Sequence, residues 1–111
     1  MNTRQVDGVT IVDFDGRITL SKDFDSLPET LREMASRGQK KVLLNLAEVN
    51  YIDSSGLGAL VSGYTTLTNQ QGQLRLLNLT KKVNERLRIT KLLTIFEVFD
   101  DEAAAIRSFR S

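Results

Sequence analysis

Cysteine and histidine are both missing from this chain of 111 residues. Without cysteine there are no disulfides, no thiol catalysis and no thiolate metal sites. Without histidine the commonest general base and the commonest transition-metal ligand are gone, so a Ser-His-Asp hydrolase cannot be assembled. Long apolar runs are absent too: no segment approaches the length that spans a bilayer, and the polar start MNTRQVDG does not read as a signal peptide. No membrane association is therefore expected, and the cytoplasm is the expected location. An excess of one charge is also lacking. The formal net charge of +1 argues against a protein that works by neutralising phosphate backbones. What remains is 41% hydrophobic and 26% charged residues, which fits one ordinary globular domain over residues 1–111.

The order of elements reads as an opening hairpin followed by alternation. In TRQVDGVTIVDF, Asp7-Gly8 separates two β-prone runs and predicts a tight turn. GRITLSKDFD looks irregular. Ser26, Leu27, Pro28 and Glu29 then form a capping box, and Phe24, Leu27, Leu31 and Met34 follow at helical spacing until Gly38 supplies a stop. Lys40 to Leu46 is a short apolar run of the kind covered on both faces of a sheet. After AEVNYID a second helix carries Leu57, Leu60, Val61, Tyr64 and Leu67 in one stripe. QLRLLNL reads as a strand, Thr80 caps a short basic helix with Val83 and Leu87 facing inward, LLTIFEVF reads as a last strand, and DDEAAAIRSF as a closing helix. Such an order implies an α/β fold with a mixed, mostly parallel sheet, an N-terminal hairpin and about four helices.

The start of the second helix, EVNYIDSSGLGALVSGY, is where residue choice and helix propensity disagree. Gly56, Gly58 and Gly63 each cost up to about 1 kcal/mol relative to alanine in a helix interior. Gly56, Ala59 and Gly63 collect small side chains on one strip, which allows a close approach either by the protein's own sheet or loops or by a partner chain. Ser54 and Ser55 have two readings as well. Serine is a common N-cap. Yet a hydroxyl at a helix N-terminus, beside Asp53 and with glycines leaving room, also suits phosphorylation, which would add roughly −1.5 to −2 charges. Residue types alone do not choose between Ser54 and Ser55.

VNYIDSSGLGALV resembles the phosphorylation-site motif of the bacterial anti-sigma factor antagonists, the freestanding STAS domains. The likeness extends through KKVLLNLAEVNYIDSSGLG and GQLRLLNLTKKVNERLRITKLLTIFEVFDDEAAAI. It implies partner switching: the unphosphorylated antagonist binds an anti-sigma factor that is also a serine kinase, phosphorylation releases it, and a serine phosphatase restores it. It implies Ser54 as the acceptor, Asp53 as the acid that orients it, and Ser55, Gly56, Leu57 and Gly58 as the rest of the partner-binding surface. On that reading the chain is not an enzyme, has no cofactor or metal of its own, binds no nucleic acid and is monomeric when free. Two stretches depart from the family pattern: Gly16 to Thr19 lacks the acids of a Gly-Glu-aliphatic-Asp element, and Thr90-Lys91-Leu92 stands where Thr-Gly-Leu is usual. Related STAS domains also act as stress-complex scaffolds, in lipid-transport complexes and in anion transporters.

Two other classes compete. In a receiver-like domain Asp53 would be the phosphorylated residue and Asp13 and Asp15 metal-binding acids, although these two alternate instead of adjoining. In a nucleic-acid binder, Lys81, Lys82, Arg86, Arg88 and Lys91 would contact phosphates. Against that, few aromatics are interleaved to stack bases.

Overall fold

A computed structural model describes residues 2–18 and 27–109, with the side chains of 15–18 excepted. Strands β1 (Asn2–Val6) and β2 (Val9–Ile18) form the expected hairpin, in register from Val6 opposite Val9 to Asn2 opposite Asp13. Its two turn residues, Asp7 and Gly8, have φ of 52° and 81°. A two-residue turn of this kind requires positive φ at both positions, which Asp-Gly supplies at low cost. β2 then continues to Ile18, through Gly16 to Ile18 where irregular chain was expected. Register shifts at Asp13/Asp15 and at Gly16/Ile18 interrupt the period-2 pattern there, which is why the sequence hides the strand.

Helix α1 (Leu27–Ser36) buries Leu27, Leu31 and Met34 as their spacing predicts, and Gly38, at φ 84°, ends it. The expected cap Ser26 and Phe24, the first residue of the expected apolar stripe, lie outside the described residues, as does Thr19. Strand β3 (Lys41–Ile52) is longer than expected, because AEVNYI is strand and not loop. Its first half pairs with β2 on one side and with β4 (Gln73–Leu77) on the other, and there Val42, Leu43, Leu44 and Leu46 are all buried. Beyond Leu46 it pairs with β2 alone and buries only Val49 and Ile52, so the apolar signal fades while the strand goes on.

Helix α2 (Ser54–Asn69) links β3 to β4, and α3 (Lys81–Ile89) follows β4. The expected last strand over LLTIFEVF is reduced to β5 (Val98–Phe99), because Leu92–Thr94 winds into a 3₁₀ turn and Phe96 is buried beside it. Helix α4 (Glu102–Ser108), capped by Asp101, comes last. The sheet order is β1-β2-β3-β4-β5, with β1 antiparallel and the others parallel. One face carries α1, α2 and α3 over Val12, Val42, Leu44, Leu46 and Leu76. On the other, α4 covers Val9, Ile11, Leu43 and Leu77 with Ala105, Ile106 and Phe109. No helix among the described residues is long and apolar enough to cross a membrane.

Candidate functional site at the start of helix α2

Where β3 ends, Ile52 turns inward and the chain enters α2 through Asp53 in an extended conformation. The Asp53 carboxylate accepts the main-chain N–H of Gly56 at 2.9 Å, and its carbonyl accepts that of Leu57 at 2.9 Å. Asp53 is therefore the N-cap, and the expectation that a serine caps this helix is corrected. A carboxylate in this position satisfies one of the open N–H groups and complements the positive end of the helix dipole.

Displaced from the cap, Ser54 and Ser55 occupy the first two helical positions, and both are exposed. Among the described residues neither hydroxyl is held by a hydrogen bond; the Asp53 carboxylate is directed to the Gly56 amide and not to Ser54. Gly58 is exposed as well, and a Cβ built on it would meet nothing within 4 Å. Gly56 and Leu57 face inward, with Leu57 in the core. The six motif residues thus split into an outer set, Ser54, Ser55 and Gly58 with a half-buried Asp53, and an inner pair that anchors the turn.

Two glycines of this helix, Gly63 on the small-residue strip and Gly58 off it, differ in what they face. At Gly63 a Cβ would lie 2.8 Å from Leu31 Cδ1 and 3.5 Å from Leu27, so this glycine serves close packing of α2 on α1. Gly58 has no such internal reason. Exposed Asn50 and Tyr51, the latter 47% accessible, extend the outer surface back along β3. Residue types gave no sign of this, because the alternation that exposes them lies past the point where β4 stops pairing.

One contact at the same edge of the sheet was not foreseen. Thr80 caps α3 as expected, accepting the Val83 N–H at 3.4 Å, but its hydroxyl also donates to the Val49 carbonyl at 2.7 Å. Val49 lies in the half of β3 that has lost β4 as a partner, and Thr80 supplies the missing donor.

Of the acids a receiver-like site would need, the side chain of Asp15 lies outside the described residues and Asp13 is engaged elsewhere. Asp13 sits level with Asn45, far back along β3 from Asp53; it accepts the Asn45 amide at 2.8 Å and pairs with Arg4 at 2.8 Å. Arg4 also binds Glu102, clamping α4 to the hairpin. The hydrogen bonds from Arg4 hold the carboxyls of Asp13 and Glu102 below the usual carboxylate range. Among the described residues no group of acids is placed to hold a metal ion.

A family model for the STAS domain matches residues 1–105. The chain belongs to the STAS domain family. BtrV of Bordetella bronchiseptica, provisionally named an anti-sigma factor antagonist, is 30% identical over 107 residues, which span 96% of this chain and 91% of BtrV. The anti-sigma-B factor antagonist of Staphylococcus aureus is 31% identical over 72 residues, 65% of this chain and 67% of that protein. SpoIIAA, an anti-sigma factor antagonist and cell fate determinant of Bacillus, shares the fold in two solved forms. Its unphosphorylated form superposes with a TM-score of 0.81 at 18% identity, covering 98% of this chain and 95% of that one. Its phosphorylated form does so at 0.75 and 17%, covering 98% of each chain. In this STAS domain the motif acid caps α2 and its neighbouring hydroxyls stand open to solvent.

Proposed function

We propose that this STAS domain is an anti-sigma factor antagonist that works by partner switching. Unphosphorylated, it binds an anti-sigma factor that is also a serine kinase. Phosphorylation at Ser54 releases it, and a serine phosphatase resets it. The contact surface is the outer set around Asp53, Ser54, Ser55 and Gly58, with Gly56 and Leu57 holding the turn beneath. The chain acts as a single domain in the cytoplasm, monomeric when free, as a regulatory substrate and not an enzyme; ATP and its metal belong to the kinase.

The observation that carries this reading is the exposed Ser54 hydroxyl, without a partner among the described residues, directly after the capping acid at the first position of a long helix. A phosphate there would lie at the positive end of α2, a contribution of about 0.3–1 kcal/mol in its favour. The neighbouring Asp53 carboxylate opposes it. The fold would thus tolerate the phosphate with little net change, while roughly −1.5 to −2 charges added to that of Asp53 turn the contact surface into a repulsive one. The names of the relatives and the existence of a phosphorylated SpoIIAA agree with this chemistry. Capture of partners from the host with and without ATP, followed by mapping of the modified residue, tests it. Recovery of a kinase that is released by ATP with the phosphate on Ser54 is the expected result; a phosphate elsewhere contradicts it.

A further inference from the structure

Lys81, Lys82, Arg86, Arg88 and Lys91 fall on and just after α3 with a single acid, Glu85, among them, although the whole chain has a net charge of only +1. All five cations are exposed. Among the described residues no ion pair engages any of them; the ion pairs run through Arg4, Arg37 and Arg75 instead. Two of the placements oppose the local structure. Lys81 and Lys82 stand in the first turn, where the helix dipole is already positive and no acid offsets it. Lys91 has φ of 63°, the left-handed conformation that favours glycine. Locally unfavourable cations gathered on one exposed surface indicate a use outside the fold.

Beside these cations runs a groove. A hollow of about 840 Å³ lies past the ends of β4 and β5, with Phe96, Val98 and Phe99 on its apolar side and Asp100 at its rim. A second, of about 550 Å³, lies along α3, lined by Lys81 and Arg88 with the acid Glu85 between them. Both are lined by Leu79 and Asn84, so the two hollows adjoin along one trough. Ala47 also lines the larger hollow, and exposed Glu48, Asn50 and Tyr51 lead from it along β3 to Asp53. Because β3 and β4 are parallel, the starts of α2 and α3 open on the same edge of the sheet.

We infer that this trough and its cations dock an acidic segment of the anti-sigma factor, with an apolar side chain seated against Phe96 and Phe99 and carboxylates on Lys81 and Arg88. The inference rests on the function proposed above and adds a second contact to it. The lining itself is balanced, Lys81 and Arg88 against Glu85 and Asp100, and the partner's sign follows from the further exposed cations Lys82, Arg86 and Lys91 beside it. The open form of the trough suits an extended protein segment better than a small ligand, which is normally enclosed. A membrane fits less well: Val83 and Leu87 are spent on the core, leaving Ile89 as the one outward apolar residue of α3.

Calorimetric titration of the full chain with its anti-sigma factor tests this. The double variant Lys81→Glu, Arg88→Glu should bind about tenfold more weakly or worse, with a flatter salt dependence. Arg32→Glu, which reverses an exposed cation on α1, should stay within about twofold of wild type. Lys81→Glu puts an acid in a first turn, which favours the helix, and circular dichroism of the double variant verifies that it is folded. Unchanged affinity of the double variant overturns the inference. If Ser54→Asp still abolishes binding in that case, the function proposed above stands. If Ser54→Asp binds as wild type while the double variant is weakened, the switch reading falls and the trough remains. A double variant that loses binding to duplex DNA or phosphatidylserine vesicles but keeps the anti-sigma factor also overturns the inference, as does a wild-type chain that binds no anti-sigma factor.

Discussion

The Asp53 carboxylate and the Gly56 amide, 2.9 Å apart, join the end of the longest strand to the first turn of the helix that presents the serines. Asp53→Ala should therefore destabilise the fold by about 1 kcal/mol, while Asp53→Asn or Asp53→Ser should avoid most of that loss. Ser54→Ala, at an exposed position with no hydrogen bond to lose, should stay within about 0.5 kcal/mol of wild type. Urea denaturation of the set measures both effects. A neutral Asp53→Ala would show that the cap contributes nothing.

Gly58 and Gly63 should respond in opposite directions to the same change. Gly58→Ala adds a methyl group to open space and should stabilise the fold by up to about 1 kcal/mol through helix propensity. Gly63→Ala drives a methyl group into fully buried Leu31, and overpacking of about 1–3 kcal/mol should outweigh the same propensity gain. Thermal melts of the two variants check the signs. If Gly58→Ala stabilises the fold and weakens partner binding, the glycine is there for the surface.

These particulars also mark what was legible in the sequence. Asp7-Gly8 predicted its turn because two positive φ values leave few residue choices. The first half of β3 was legible because burial on both faces leaves a continuous apolar run. Its second half was not, since a strand paired on one side only buries Val49 and Ile52 and exposes the rest. The apolar LLTIFEVF misled for the opposite reason: Leu92 and Phe96 pack on the core from a 3₁₀ turn and the chain after it, so burial there does not signify pairing. At the site, residue types pointed to a serine cap because serine and aspartate are comparable caps. Only the backbone conformation of Asp53 separates them.

Lys91 in its left-handed conformation should carry a measurable cost. Lys91→Gly removes the Cβ clash, worth roughly 1–2 kcal/mol, against the greater flexibility of glycine in the unfolded chain. A net stabilisation of about 0.5–1 kcal/mol is expected from urea midpoints. A destabilised Lys91→Gly would mean that the lysine side chain stabilises the end of α3.

The Arg4 clamp should make part of the stability acid-sensitive. Asp13 and Glu102 have carboxyl pKa values lowered by hydrogen bonds from Arg4. Their contribution is therefore present above the ordinary carboxylate range and is lost as pH falls through the lowered values. The groups are partly exposed, so the effect is limited to about 1 kcal/mol. Arg4→Gln should be less stable than wild type at about pH 7 and nearly equal to it at about pH 2. An equal deficit at both values would assign the loss to packing instead of charge.

The position of the phosphate tests the central claim most directly. Wild type, Ser54→Ala and Ser55→Ala are each incubated with the anti-sigma factor and ATP, and the products are mapped by mass spectrometry and treated with hydroxylamine. The account predicts a hydroxylamine-stable phosphate on Ser54 in wild type and Ser55→Ala, and an unmodified Ser54→Ala that stays bound to its partner. Modification of Ser54→Ala to the extent of wild type, or a hydroxylamine-labile phosphate on Asp53, would contradict it.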